Sequence, residues 1–423
     1  MEKPNSFKTA IVLGVMYAIC LMDRQIVAIL LDPIKADLQL SDTELALMSG
    51  LVFSIFYGFM GIPIARLADR TNRVKLLAWC LAVWSVMTTL SGMATNFIFL
   101  LLARMGVGIG EAGCQPAGQS ILADEYDEKN RGRALAFFAA GAPVGGLIAF
   151  TLGGYLADTY GWRMTLILAG VPGLLFAVLL KFLIKEPVRK TENSDKTNLS
   201  TQKEIFHLLK NKLFRQALLA HLACVCLGYT CMMWIPTLMV RSFDLSLTQT
   251  GMYIGITAVF GGLVGSLGSG VITDKLVAKD ETWLGRFPML LCAIAAPIFL
   301  LCLLSSNFYF FIATFTLTIT FANAHTPPCY ATYHRAVANE HRAMAVALST
   351  LTVNIIGLGL APLIIGALSD WLAPTHGEDS LKVAMQFTLI YLPLAAVGFY
   401  LVQRSLSEVG KDENYSKGIA EIS

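Results

Sequence analysis

Gly61-Ile-Pro-Ile-Ala65-Arg-Leu-Ala-Asp69-Arg70-Thr-Asn-Arg73 joins two long apolar runs, and the chain carries a degraded second copy of it, Ser266-Leu-Gly-Ser-Gly270-Val-Ile-Thr-Asp274-Lys275. Both place small residues four apart, then an acid four later, then a base. Residues four apart share a helix face, and small ones there let a second helix come close. A further match pairs Arg133-Ala-Leu-Ala with Arg342-Ala-Met-Ala; the runs they open end in Gly154-Tyr-Leu-Ala-Asp158 and Gly366-Ala-Leu-Ser-Asp370. The chain therefore reads as two repeats. In membrane proteins such repeats enclose a solute site near the bilayer midplane.

The apolar runs themselves are about 20 residues long, the length of a helix that crosses a bilayer. Of the 423 residues 55% are hydrophobic and 14% charged, and the mean hydropathy is +0.62; soluble proteins carry about 25% charged residues. About twelve runs can be marked, from 8–31 to 382–403. An open sheet would leave backbone groups unpaired in hydrocarbon, so the runs are helices. The expectation is an all-α integral membrane protein with about twelve transmembrane helices in two six-helix pseudo-repeat bundles. The bundles fall at 1–185 and 215–404. A cytoplasmic linker spans 186–214 and a polar cytoplasmic tail spans 405–423. Within the linker, Ile205, Leu208, Leu209 and Leu213 are spaced as on an amphipathic helix lying at the membrane surface; a linker with a single helical turn is the alternative.

Lys and Arg set the orientation. With the N-terminus inside, only Lys35, Arg163, Arg241 and Lys382 of the 32 fall on the outer side, and Arg24 and Arg104 lie within the membrane. This bias puts both termini in the cytoplasm, in a plasma (inner) membrane. The net charge of +3 is thereby a topology signal, and no basic cluster is left over for nucleic acid. The first run reads as a retained span, not a cleaved signal. All nine Cys lie in or beside apolar runs without a CxxC pair, so neither disulfide, metal nor cofactor is expected. No G-x-x-x-x-G-K-[ST], H-E-x-x-H or G-x-S-x-G occurs, which argues against an enzyme.

Four charges break the apolar runs of the first half: Asp23, Arg24, Arg104 and Glu111. A charge at mid-bilayer costs a few kcal/mol at least, so it must face a partner or a wet cavity. Arg104, Gly108, Glu111, Gln115 and Gln119 step by three or four and share a helix face. Arg104 keeps its charge and needs an anion. Asp23 is the expected resident partner, and a solute carboxylate or phosphate its rival. Glu111 is the expected proton carrier, because apolar surroundings favour a neutral carboxyl. Asp23 and Glu111 are thus candidate proton-coupling residues, and Arg24, Arg104, Gln115, Gln119 and Tyr57 candidate solute contacts. Arg24 lies about 100° round the helix from Asp23 and either meets solute or pairs locally. A purely structural charge cluster is the competing explanation.

The second half has no acid deep within a run. His325 stands in Asn323-Ala-His-Thr-Pro327-Pro328, where two prolines interrupt a helix. Such breaks occur where helices line a cavity, so His325 and Asn323 are candidate solute contacts; a hydrogen-bonded packing kink is the alternative. His221 reads as interfacial.

The loop Gly61–Arg73 resembles the G-x-x-x-A-x-x-x-D-R-x-x-R signature of the major facilitator superfamily. That resemblance implies the fold just described, a monomer, and a cytoplasmic gate at Gly61, Asp69, Arg70 and Arg73, with Asp274 in the degraded copy. Asp69 is expected to accept bonds from a neighbouring helix N-terminus and from a base such as Arg133. A narrower resemblance rests on Asp23-Arg24-Gln-Ile-Val, Asp32-Pro-Ile-Lys-Ala-Asp37-Leu, Arg104-Met-Gly-Val-Gly108-Ile-Gly110-Glu111-Ala, Arg131-Gly-Arg133-Ala and Gly141-Ala-Pro-Val-Gly145-Gly146. These are similar to the spinster-like branch, some of whose members export lysophospholipids or sphingosine phosphate with protons. The anion:cation symporters, which import sugar acids and other carboxylates, share the paired D-R and the R…E spacing. The resemblance implies a proton-coupled transporter of an amphipathic anion or, alternatively, of a small organic anion, with the bilayer as its other partner.

Overall fold

The computed structural model describes residues 7–189, 201–338 and 341–420, and among them every regular element is helical. Nine of these helices are long and apolar enough to cross a membrane. Spans one to four are Lys8–Leu38, Asp42–Arg70, Arg73–Gly92 and Phe97–Glu125. The next helix, Glu128–Leu183, is 56 residues long and breaks at Gly161, whose φ of 77° a residue with a Cβ rarely adopts. It therefore supplies spans five (128–160) and six (162–183). Spans seven to nine are Lys212–Phe243, Leu247–Val277 and Trp283–Leu304. Span ten (308–336) is interrupted between Asn323 and Thr326. The last long helical stretch turns at Gly377 (φ 55°) into spans eleven (342–376) and twelve (from 380). Twelve spans result among the described residues; the first ends at Leu38, seven residues past its apolar run, and the last helix continues to Ala420, well beyond 403.

Local chemistry sets several of these boundaries. Asn72, Asn96 and Asn307 cap the starts of spans three, four and ten, each accepting a bond from the amide three residues on. Such a cap satisfies one of the orphan amides of a first helical turn.

The chain forms two compact units. The first comprises Met1–Ser194, Met232–Val259 and Leu358–Ala384; the second comprises Asp195–Cys231, Phe260–Gly357 and Met385–Ser423. Spans seven, eight, eleven and twelve thus each divide between the units. In the first unit Met16, Cys20, Phe53, Trp84, Val107, Cys114 and Phe138 are core. Span five lies hard against span one there, since a Cβ on Gly141 or Gly145 would strike the carbonyl oxygens of Gly14 or Ala18. In the second unit Leu208, Phe214, Leu284, Tyr333 and Val402 pack together. Leu208 belongs to a short helix, Thr201–Lys210, whose Phe206 stays exposed and whose buried Glu204 accepts a bond from His341 Nδ1 at 2.8 Å. Residues 190–200 of the expected linker and 421–423 of the tail lie outside the described residues. All nine cysteines are buried free thiols.

Candidate functional site

Adjacent residues of span one point about 100° apart, and this separates Asp23 from Arg24. Arg24 turns toward spans two and four. Its Nη2 and Nε donate to Glu111 Oε2 at 2.8 and 3.0 Å. Its guanidinium lies 4.9 Å from the Phe53 ring centre and 4.6 Å from that of Tyr57. A cation over an aromatic face gains where water is scarce. Phe53 and Tyr57 stack with each other at 5.8 Å, one helical turn apart. Gly108 makes the arrangement possible: a Cβ there would sit 2.9 Å from Phe53 O, so any larger residue pushes span two away from span four.

Asp23 faces span three. Its Oδ2 accepts from Thr88 Oγ1 at 3.3 Å and its buried Oδ1 has no hydrogen-bond partner. Arg104 is fully buried, and its Nε, Nη1 and Nη2 donate to nothing. Glu111 and Asp23 are the acids whose charges it feels, with Arg24 opposing them. The Phe53 ring centre lies 5.6 Å from it.

The expected hydrogen-bonded pair of Asp23 with Arg104 is therefore corrected. Glu111, about two turns further along span four, takes Arg24 instead. Asp23 is turned toward Thr88 and stays within electrostatic reach of Arg104 but outside bonding range.

The expected polar face of span four is also cut short. Proline at 116 has no amide to give the carbonyl of Ala112, and the helix breaks between Glu111 and Cys114. Gln115 still points inward, donating to Tyr17 OH at 2.5 Å. Gln119 is exposed.

Of the gate candidates, Arg73 is buried. It binds Asp124, Ser120 and, at 2.7 Å, Glu186, tying span three to span four and the segment after span six. Asp69 and Arg70 are exposed, and among the described residues no hydrogen bond joins Asp69 to Arg133, which lies over the Phe7 ring. A Cβ on Gly61 would meet nothing, and Asp274 is exposed.

In the second unit His325 sits in the break of span ten. Its Nδ1–H donates to Ala322 O, and its buried Nε2 has no partner. His221, expected at the interface, is instead buried 5.0 Å from the His325 ring, with Nδ1 bonded to Tyr333 OH at 2.9 Å. The reason is its neighbours: Tyr330, Tyr333 and His325 of span ten supply polar and aromatic company. Asn323 ends the first half of span ten against Gly265.

Composition and spacing do not reveal two contributors. Phe53 is one more apolar residue in an apolar run; its signal is the four-residue step to Tyr57. Arg241, counted above only for orientation, bonds Asp32 Oδ1 at 2.8 Å and both oxygens of Asp42 at 3.1 Å.

A family model described as Major Facilitator Superfamily matches residues 13–362. The chain belongs to the Major Facilitator Superfamily. It is 28% identical to an MFS-type efflux pump of Mycolicibacterium smegmatis, over 90% of this chain and 88% of that one. It is 27% identical to a probable L-galactonate transporter of Escherichia coli, over 92% and 88%. Among solved structures it resembles a bacterial homologue of the human lysosomal transporter spinster, crystallised in an inward-facing, unoccupied conformation. The TM-score is 0.86 at 25% identity, covering 96% of this chain and 98% of that one. The spinster likeness, carried in sequence by motifs between Asp23 and Gly146, thus extends over the second half in the fold. A transporter, not an enzyme, is what this superfamily fold builds.

Proposed function

We propose that this chain is a proton-coupled secondary transporter that works by alternating access and carries an organic anion. The observation that carries the reading is Arg104, a permanently charged group fully buried with three unused donors. A buried guanidinium without bonded partners is costly to keep, and an anionic carboxylate or phosphate would satisfy it. Asp23 and Glu111 supply the coupling. A deprotonated Asp23 offsets the charge of Arg104; a proton on Asp23 removes that offset and leaves the guanidinium to the solute. A proton on Glu111 likewise loosens Arg24. Solute and proton then share one set of side chains.

Alternating access fits the state of the two ends of the first unit. Asp69 and Arg70 are exposed at one end, whereas Arg241, Asp32 and Asp42 are bonded at the opposite, cation-poor end. By the distribution of Lys and Arg that end is the outer one, and both termini are cytoplasmic.

An amphipathic anion such as a lysophospholipid is the first reading of the solute. It is supported by the likeness to the spinster homologue and by the stacked Phe53 and Tyr57 beside the arginines. A small carboxylate is the second, favoured by the similarity to a probable L-galactonate transporter.

The test is uptake and efflux by purified protein in liposomes, with lysophosphatidylglycerol and L-galactonate as probes and an imposed pH gradient. Movement of one probe that stops when the gradient is dissipated supports the proposal. Movement that ignores the gradient removes the proton from it, and no movement of either anion removes the solute class.

A further inference from the structure

Gly154–Asp158 and Gly366–Asp370, the paired ends of spans five and eleven, have no part in the solute site. The structure gives them matching tasks. Asp158 Oδ1 accepts from the amide of Leu247 at 3.2 Å, and Oδ2 from the amide and hydroxyl of Thr248 at 2.7 and 2.5 Å. Asp370 Oδ1 accepts from the amide of Asp42 at 2.9 Å, and Oδ2 from the amide and hydroxyl of Thr43 at 2.8 and 2.5 Å. Each acid thus covers the start of a helix in the other half of the chain, span eight in one case and span two in the other. Each glycine four residues earlier lets the helices meet. A Cβ on Gly154 would strike Leu247 O, and one on Gly366 would come within 2.7 Å of Asp42 O.

The receiving helices are built alike too. Ser41 accepts from the Glu44 amide while Glu44 accepts from that of Ser41, and Ser246 with Gln249 repeats this exchange. Such a capping box satisfies the cap and third amides of a helix from within. The first and second amides are left over, and these are the two that Asp370 and Asp158 collect. The helix starts therefore hold their shape without the distant acid, and water can serve the two spare amides when it leaves. A contact of that kind can be made and unmade without unfolding anything.

We infer that Asp158 and Asp370 are a matched pair of outer latches that engage and release together in each transport cycle. The crossing of partners gives the coupling. Spans one to six supply Asp158 and receive Asp370; spans seven to twelve supply Asp370 and receive Asp158. A movement that parts the two halves at this end breaks both contacts. Arg241 of span seven, bridging Asp32 and Asp42, fastens the same parting line. It stands on the Asp370 side, where Ser369 and Lys35 also bond Asp42 at 2.7 and 2.6 Å. The Asp370 latch is thus the more heavily braced. Both acids are positioning residues and touch no solute.

The inference rests on alternating access, but its test needs no solute. Pairs of spin labels at Tyr160→Cys with Met252→Cys, and at Ala36→Cys with Trp371→Cys, report the two latches; all four sites are exposed and the native cysteines are buried. Distances are measured by electron–electron resonance in lipid nanodiscs. Asp158→Ala is expected to add a longer-distance population at both pairs, and Asp370→Ala the same with a larger share. Thr43→Val and Thr248→Val, which remove only a hydroxyl, are expected to give smaller shifts at both pairs and keep the test alive if an alanine variant does not fold. A change confined to the substituted latch, or no change at either pair, overturns the inference. Loss of flux in the liposome assay with these distances behaving as expected would count against the solute reading alone.

Discussion

Arg24 closes on Glu111 inside the membrane through two bonds of 2.8 and 3.0 Å to one carboxylate oxygen, while Arg104 on the same helix as Glu111 bonds to nothing. One arginine is ion-paired and the other has no hydrogen-bond partner.

Arg24→Ala strands the Glu111 carboxylate in a fully buried position. Breaking a buried pair from one side costs about 3–5 kcal/mol, whereas replacing both partners with apolar residues is often neutral. Thermal unfolding in detergent should show a marked loss for Arg24→Ala and a recovery for Arg24→Leu with Glu111→Leu. A double variant no more stable than the single one would show that the pair does not carry the local stability.

Arg104→Met combined with Asp23→Asn should do the reverse to stability. The side chain that Met replaces has three donors without partners, so once Asp23→Asn also removes the carboxylate that Arg104 offsets, stability of the double variant is expected to stay level or rise by about 1–4 kcal/mol, while anion flux falls at least tenfold. Such opposition of stability and activity marks a functional site. A protein destabilised by this pair of substitutions would mean that Arg104 is a structural cation.

Gln119→Ala is expected to leave flux within twofold of wild type, because its side chain is exposed rather than buried with the charged residues. Gln115→Ala removes a bond to Tyr17 OH and should lower flux more. Paired initial-rate measurements decide between them, and equal losses would restore the continuous polar face that spacing alone suggests.

His221→Phe should cost about 0.5–1.5 kcal/mol, the net worth of one hydrogen bond, since Tyr333 OH loses its imidazole partner and keeps only the 3.3 Å bond from Ser349 Oγ. The double variant with Tyr333→Phe should regain most of the loss. Unfolding curves of the three proteins test this, and strict additivity would exclude the bond as the cause.

Run length and the repeated Gly61–Arg73 and Ser266–Lys275 patterns make the fold readable from sequence, because hydrocarbon leaves the backbone no choice but helix. The candidate site is only half readable from sequence. Ionisable residues in apolar runs are costly enough to be noticed one by one, so Asp23, Arg24, Arg104 and Glu111 all stand out. Their pairing does not, because partners on spans one and four are chosen by rotation about helix axes that packing at Gly108 and Phe53 decides. The face shared by Arg104, Glu111, Gln115 and Gln119 is interrupted for a related reason: the spacing assumes an unbroken helix, and the helix breaks between Glu111 and Cys114. Asp158 and Asp370 were visible as a repeated pattern, but their task depends on amides of another helix, which no side-chain pattern displays.

The most direct measurement of proton coupling is pH-gradient-driven anion flux by Asp23→Asn and Glu111→Gln proteins in liposomes, beside wild type at matched incorporation. If these carboxylates carry the proton, both variants retain exchange of anion for anion yet lose the response to the gradient. Wild-type acceleration by the gradient in both variants would contradict the account.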